Sequence, residues 1–178
     1  MKNALKKGDF APRIHAKDIW GTEISVPKND KWLYVSFHRF AACPFCNLRT
    51  NELIRNYPRF KEKNIEIISI WPSEKKNLLR FAGQEQTPFP MVSDASKRSY
   101  SDYGVSESSL VGAVKLLFHP SIMYQAMRNI RKKIEVDKDP KLLPASFLID
   151  TKGIIQLAHY GKHYGDHPDI KELLEWGD

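Results

Sequence analysis

The hydrophobic pattern predicts two buried strands in the first half of the chain. Residues 32–38 and 65–71 are short, mostly apolar runs rich in β-branched and aromatic side chains, as strands inside a sheet are. Between them, Pro44 suits the first turn of a helix, and apolar residues follow at helical spacing as far as Phe60. We expect Pro58 to kink or end that helix. This half of the chain therefore predicts a β-α-β unit.

Turn residues and apolar runs predict a hairpin late in the chain. Residues 145–149 and 154–159 have strand patterns, and the segment 150–153 between them is a good turn sequence with Asp first and Gly last. A last helix is expected over 169–176, and another follows Pro72 in the middle of the chain. This β-α-β, then β-β-α order predicts an α/β fold with a central mixed sheet and helices on both faces.

A further helix is predicted as an insertion around residues 110–134. Ser121 suits its cap, cations gather at its C-terminal end, and its apolar positions follow helical spacing: Ile122, Met123, Ala126, Met127 and Ile130. A packed amphipathic helix is the simplest interpretation. The alternative is a methionine-bearing face that forms a substrate lid or a dimer contact.

Composition fits one enzyme domain over residues 1–178. With 42% apolar and 28% charged residues, the chain can bury a proper core and is too short to need two domains. The net charge of +7 comes from cations scattered among acids, which favours a solvated surface over a nucleic-acid site. The basic N-terminus has no apolar signal core, and no apolar run is long enough to span a membrane. We therefore expect a cytoplasmic protein with neither nucleic acid nor membrane as partner.

The chemistry of the sequence concentrates in its two cysteines, Cys43 and Cys46. A C-x-x-C pair at the start of a helix can close and reopen a small disulfide ring, and the N–H groups there favour a thiolate. So small a ring stabilises a fold very little. Two thiols supply only half of the ligands of a zinc site. His159, His163 and His167 have a spacing that would line one helix face, but the Tyr, Gly and Pro residues of that stretch form a helix poorly. We therefore expect redox chemistry with neither a metal nor another cofactor.

One pattern runs along nearly the whole chain: Gly8, Ala11, Pro12, Asp18 and Gly21, then the segments 37–46, 89–94, 103–105 and 147–153. This pattern resembles the AhpC/TSA family of thioredoxin-fold proteins. It is similar in particular to peroxiredoxin-like members in which Cys-Pro-Tyr-Cys-Asn follows a strand, since Cys-Pro-Phe-Cys-Asn stands here. The resemblance implies a thioredoxin-like fold over nearly the whole chain. It also implies thiol chemistry regenerated by a reductant such as thioredoxin or glutathione, in a monomer or homodimer.

The sequence departs from that family at the positions of peroxide chemistry. Laying the family's Pro-x-x-x-Thr-x-x-Cys loop on Cys46 puts its proline at Arg39 and its threonine at Cys43, and its activating arginine falls on Pro144. These departures favour a thioredoxin-like oxidoreductase acting on protein disulfides. The first alternative is a peroxiredoxin-type hydroperoxide reductase with Cys46 or Cys43 peroxidatic. The second is a non-catalytic interaction module with a thioredoxin fold.

The two enzymatic hypotheses give the cysteines opposite roles. In the oxidoreductase, Cys43 at the exposed helix start attacks a disulfide, and Cys46 resolves the mixed intermediate. In the peroxidase, the alignment makes Cys46 the sulfur that becomes a sulfenic acid, with which Cys43 condenses.

Neighbouring residues are expected to support this dithiol. His38 and Arg39 could hold a thiolate by charge. Pro144 has the form of the cis-proline that faces a thioredoxin-like C-x-x-C, so we assign it, with Phe45, to substrate binding. Phe37 stands where thioredoxin has a buried carboxylate, which leaves proton transfer to water or to His38.

Overall fold

The computed structural model describes residues 4–84, 86–105, 124, 136–137 and 140–177. The insertion predicted around 110–134 lies outside these residues, except for Tyr124. The strands are β1 (Ile14–Lys17), β2 (Glu23–Val26), β3 (Trp32–Phe37), β4 (Ile65–Trp71), β5 (Met91–Ser93), β6 (Ala145–Ile149) and β7 (Ile155–Tyr160). The helices are α1 (Pro44–Glu62), α2 (Lys75–Arg80), α3 (Arg98–Asp102) and α4 (Ile170–Leu174).

The predicted central mixed sheet is confirmed. Its five strands run in the order β5-β4-β3-β6-β7, and β1 and β2 form a separate antiparallel pair. Strand β4 is parallel to both β3 and β5, whereas β6 is antiparallel to β3 and β7. Because β3 is the central strand, its C-terminal end and the cysteines that follow it lie in the middle of the sheet, where the strand ends meet the loops.

Helices cover both faces of the sheet, as the element order predicts. On one face, Leu53 of α1 and Leu173 of α4 belong to the same buried cluster as Ile67 of β4. On the other face, Tyr100 of α3 packs in a cluster with Phe147 of β6 and the β1–β2 hairpin. The hairpin and α3 are elements that the hydrophobic pattern does not reveal, because each is only four or five residues long.

Helix α1 continues through Pro58 and ends at Glu62. The ring removes one backbone donor from the helix interior, which costs stability. Phe60 nevertheless lies fully buried beyond the proline, in the cluster that anchors Leu53. The apolar packing of the last turn therefore keeps the helix in place.

The predicted late hairpin is confirmed as β6 and β7. The Asp150 carboxylate accepts from the N–H groups of Lys152 and Ile154, both at 2.9 Å. Gly153 closes the turn at a φ of +80°, which glycine adopts without strain. Over the described ranges, no helix has the length and apolar character needed to cross a membrane.

The aromatic core on the α3 face should contribute strongly to stability. Phe147 is fully buried and has the rings of Phe37, Tyr103 and Tyr160 within 5.8 Å, centroid to centroid. Because Phe147→Ala removes these contacts and leaves a cavity, it should lower the free energy of unfolding by about 3–5 kcal/mol in denaturant titrations. The matched change Phe10→Ala, at a residue 75% exposed, should shift it by less than about 0.5 kcal/mol. Equal effects of the two variants would contradict this account of the core.

Candidate active site

The two cysteines lie where β3 passes into α1. Cys43 precedes the helix and Cys46 lies in its first turn; both are free and fully buried. The turn before the helix closes through a hydrogen bond from the Cys43 N–H to the Phe40 carbonyl at 3.0 Å. The Asn47 side-chain amide donates to the carbonyls of Ala41 and Cys43, both at 2.9 Å. The segment that connects β3 to α1 is therefore fixed to the first turn of that helix.

A second set of hydrogen bonds ties this connection to the end of β4. The Ala41 N–H donates to Ser73 Oγ at 2.9 Å, and Ser73 Oγ donates to Asp137 Oδ1 at 3.1 Å. Asn77 of α2 donates to the other oxygen of that carboxylate at 2.7 Å. The turn before the cysteines is thus held from both the helix side and the β4 side.

Arg39 is the buried cation of the site. It is 4% exposed, and its Nη1 donates to Cys43 Sγ at 3.3 Å. Its Nε donates to the Leu142 carbonyl at 2.7 Å, and its Nη2 donates to the Pro140 carbonyl. The Tyr164 ring centroid lies 3.5 Å from Arg39 Cζ, within the range of a cation–π contact. Together these contacts hold the guanidinium beside the Cys43 sulfur.

The two sulfurs differ in their affinity for a proton. Burial raises the pKa of Cys43, but the hydrogen bond from Cys46 and the Arg39 charge lower it by more, from an ordinary value of 9.0 to about 7. Burial, the same hydrogen bond and the Cys43 charge raise the pKa of Cys46 well above 9.0. Cys43 is therefore the thiolate near neutral pH, and Cys46 is the thiol that donates to it.

His38 lies next to the dithiol but does not supply it with charge. Its fully buried ring stacks on Trp71, with centroids 4.1 Å apart and an interplanar angle of 7°. Burial, followed by the charge of Arg49, lowers the pKa of His38 from 6.5 to about 3. The imidazole is consequently neutral at physiological pH. Of the two residues expected to hold the thiolate by charge, only Arg39 is in a state to do so.

The prediction of a cis-proline at Pro144 is wrong. Among the described residues the cis bond is Val26–Pro27, and the Leu143–Pro144 bond is trans. The Pro144 carbonyl accepts from the Gly161 N–H at 2.9 Å, which extends the pairing of β6 with β7. A Cβ on Gly161 would lie 2.9 Å from both Pro144 Cγ and the Pro144 carbonyl oxygen. Pairing with the segment that follows β7 therefore occupies the Pro144 carbonyl.

Phe45 and the three late histidines complete the residues singled out by the sequence. Phe45 is half-buried and packs against the cluster that contains both cysteines. His159 lies in β7 and pairs with Asp166, Nε2 to Oδ1, at 3.0 Å. His163 and His167 follow in the loop before α4. Within the described part of the chain, no three His, Cys, Asp or Glu side chains approach closely enough to hold a metal ion.

Comparison with known proteins gives the family of this chain. The model of the AhpC/TSA family matches residues 7–158. The chain belongs to this family. Peroxiredoxin Bcp of Escherichia coli K12 is 25% identical over 176 residues, which cover 98% of this chain and 96% of the relative. Chloroplastic peroxiredoxin Q of Populus jackii is 21% identical over 172 residues, or 96% of this chain and 67% of that protein.

Solved structures show the same thioredoxin-like fold. The reduced 2-Cys peroxiredoxin of Plasmodium vivax superposes with a TM-score of 0.66 at 19% identity, covering 94% of this chain and 78% of that one. A putative thiol:disulfide interchange protein DsbE from Chlorobium tepidum gives a TM-score of 0.63 at 20% identity, covering 97% and 94%. With its two thiols in one buried site, this AhpC/TSA protein is a thiol-dependent oxidoreductase.

Other residues stand at the positions of the family's usual loop residues in this AhpC/TSA protein. Arg39 stands at the proline position, and its backbone N–H donates to Cys46 Sγ at 3.3 Å while its guanidinium donates to Cys43. The positive charge therefore comes from the loop before the helix. Pro144 stands where the family has its late arginine, and its carbonyl accepts a hydrogen bond that extends the pairing of β6 with β7.

The sequence did not reveal every residue that shapes the site. Asn47 could have been found, because it lies four residues, about one helical turn, after Cys43. Tyr164 and the carbonyls of Pro140 and Leu142 carry no local signal, since only the fold brings them to Arg39. The same holds for Arg49, whose partner Tyr34 lies on a different element.

Loss of the Arg39 charge should raise the pKa of Cys43. Below a pH of about 7 the Cys43 sulfur is protonated, so ultraviolet thiolate absorbance of the reduced protein should rise through that pH. In Arg39→Gln the transition should move upward by about one pH unit or more, because a nearby opposite charge is lost. Arg13→Gln, at an exposed arginine, removes the same charge as a control and should leave the transition in place. An unmoved transition in Arg39→Gln would contradict the assigned role.

Proposed function

We propose that this protein reduces small hydroperoxides, with Cys43 as the attacking thiolate and Cys46 as the resolving thiol. The observation that carries the proposal is the contact of Arg39 Nη1 with Cys43 Sγ at 3.3 Å inside a fully buried site. The guanidinium favours the thiolate, and its N–H groups suit the oxygen on which negative charge develops. Membership in the AhpC/TSA family, with relatives named peroxiredoxins along nearly the whole chain, supports the same chemistry.

The proposed cycle uses both sulfurs and ends in a disulfide. The Cys43 thiolate attacks the hydroxyl oxygen of ROOH; an S–O bond forms, the O–O bond breaks, and RO⁻ leaves and takes one proton from solvent to become ROH. Cys46 then attacks the sulfenic sulfur; an S–S bond forms and the hydroxyl leaves as water. Two reductant thiols, RSH, return the disulfide to the dithiol and become RSSR.

The closed site favours a small oxidant over a protein disulfide. Both sulfurs are fully buried, and Arg39 is held at its place by Tyr164 and the carbonyls of Pro140 and Leu142. A protein disulfide must first open these contacts. An opening that costs about 1.4 kcal/mol lowers the reactive population about tenfold.

Thiol-disulfide exchange is the second candidate function, and the pKa difference between the cysteines favours it. A low pKa at Cys43 and a high one at Cys46 suit a nucleophile and a resolving thiol for a disulfide substrate as well. The departures from the peroxiredoxin pattern at Arg39, Cys43 and Pro144 also favour this activity. The two candidates share the dithiol and differ in the oxidant.

The proposal extends to the setting in which the enzyme works. Residues 1–178 would act as one domain, since the family match alone spans residues 7–158. Regeneration would come from a thiol reductant, glutathione or a thioredoxin-like protein. The cytoplasm would provide such thiols and would keep Cys43 and Cys46 reduced between turnovers.

A comparison of oxidants tests the proposed substrate class. Reduced protein is mixed in turn with hydrogen peroxide, an organic hydroperoxide and a protein disulfide, and tryptophan fluorescence follows formation of the ring. The hydroperoxides should oxidise the dithiol at least about tenfold faster than the protein disulfide, because a small oxidant needs a smaller opening of the buried site. The reverse order would establish thiol-disulfide exchange instead. No reversible ring with any oxidant would leave an interaction module.

Single cysteine variants test which sulfur attacks. After treatment with hydrogen peroxide, Cys46→Ser should retain a sulfenic acid on Cys43 that dimedone traps stoichiometrically, since the resolving thiol is missing. Cys43→Ser should give little adduct at neutral pH, because burial, the largest cause of the raised pKa of Cys46, remains in that variant. Each variant is the control for the other in mass spectrometry. Trapping on Cys46 alone would reverse the assigned roles.

A further inference from the structure

A row of small polar side chains lies beneath the first turns of α1. Tyr34, Ser36 and His38 alternate along β3 and its end, so they share the sheet face that α1 covers. Ser36 is in register with Ser69 of β4 and Ser146 of β6, and all three serines are fully buried. Large apolar residues normally fill such a central position. The serines make room there for the polar side chains above them.

Several polar atoms in this layer have no hydrogen-bond partner among the described residues. Part of the layer is satisfied: Arg49 Nη2 donates to the Tyr34 hydroxyl at 2.8 Å, which donates to Ser146 Oγ at 2.9 Å. The buried atoms without a partner are Ser36 Oγ, Arg49 Nε, and both ring nitrogens of His38 and of His167. Buried polar atoms are nearly always hydrogen-bonded in proteins. Their concentration at one place calls for a functional explanation.

The histidines extend from this layer toward the surface. The rings of His38 and His167 have centroids 6.4 Å apart, a separation that a proton would cross through one bridging water. Part of residue His167 is exposed, although both its ring nitrogens are buried. His167 also lies within electrostatic range of His159 and His163. His159 in turn contacts Asp166, whose side chain is 20% exposed.

The other end of this series adjoins the dithiol. The His38 ring stacks on Trp71, which belongs to the same buried cluster as Cys43 and Cys46. The next residue along the chain, Arg39, donates its backbone N–H to Cys46 Sγ at 3.3 Å. His38 thus lies between the buried cluster that contains the two cysteines and His167.

We propose that His38 and His167 relay the proton of Cys46 between the buried dithiol and the surface at Asp166. This inference rests on the proposed dithiol function and names the route of its proton. When a reductant thiolate opens the ring at Cys43, a new S–S bond forms there and the old one breaks. Cys46 then leaves as a thiolate and must take a proton from solvent. When Cys46 closes a ring on a mixed disulfide, the same proton must leave.

The surroundings of the two histidines suit a relay in which neither imidazole stays protonated. Burial first, and the Arg49 charge second, lower the pKa of both His38 and His167, so each stays neutral at rest. A neutral imidazole accepts a proton on one nitrogen and releases one from the other. Glu52 contacts Arg49 at 2.6 Å, so the nearest acidic side chain of α1 is paired with that guanidinium. The carboxylate that can receive the proton, Asp166, stands at the outer end of the series.

The test separates attack by Cys43 from ring closure by Cys46. Reduced protein is mixed with one equivalent of methyl methanethiosulfonate and quenched with acid at intervals. Mass spectrometry then measures the S-methyl mixed disulfide as it forms through Cys43 and decays through Cys46. His38→Phe, which can still stack on Trp71, and His167→Phe should each form the mixed disulfide at a rate within about twofold of the unmodified protein. Both should slow its decay at least about tenfold, since general acid–base transfer contributes that much or more.

Controls distinguish proton transfer from packing. His38→Gln and His167→Gln keep a polar side chain that cannot be protonated, and they should slow decay as the Phe variants do. His15→Phe, at an exposed histidine of β1, should change neither phase. In D₂O, decay in the unmodified protein should slow more than formation. The relay would be overturned if the mixed disulfide decays in folded Phe or Gln variants as fast as in the unmodified protein. It would also be overturned if formation and decay are slowed equally.

Failure of the relay differs from failure of the proposed function. If the mixed disulfide forms and closes with unchanged kinetics in every histidine variant, the dithiol function stands and the relay falls. If the unmodified protein forms neither the mixed disulfide nor the ring, the dithiol function fails and the relay falls with it.

Discussion

A negatively charged sulfur can remain inside a protein only when positive charge or hydrogen-bond donors accompany it. In this structure Arg39 meets that requirement for Cys43. The guanidinium is itself buried, so two carbonyls and the Tyr164 ring must hold it in turn. The site therefore depends on one ion pair between the loop before α1 and the sulfur at the start of that helix. Hydrogen bonds from Asn47 and to Ser73 fix the turn between these two partners.

The surface beneath α1 is divided into two parts. The later turns of the helix pack through Leu53 and Phe60 on apolar residues of the sheet, which anchors α1. The first turns lie over serines, and Arg49 reaches from them to Tyr34. The apolar part gives stability, and the polar part gives the thiols a route for protons.

Much of the fold could be predicted because hydrophobic spacing is a local property of the sequence. β4 was predicted with its observed ends, and the Asp150 turn was recognised from its residue types. The β1–β2 hairpin and α3 were missed, since elements this short carry too few periodic positions. Pro58 shows the opposite error: its local preference against a helix interior is outweighed by the packing of Phe60.

The candidate site was predictable where its residues are neighbours in the chain. Cys43, Cys46 and Arg39 lie within eight positions of one another, so their chemistry was visible together. The Pro144 carbonyl pairs with Gly161 of the adjacent segment, and the neutral state of His38 depends on burial and on Arg49. Both are tertiary effects that no local motif carries.

The central claim is that Cys43, paired with Arg39, is the thiolate of the site and Cys46 is the thiol. NMR titration of the reduced protein with ¹³C-labelled cysteine β-carbons measures both sulfurs separately. This account predicts a Cys43 transition at a pH of about 7 and a Cys46 resonance that remains that of a thiol well above pH 9.0. A Cys46 transition below that of Cys43 would contradict it.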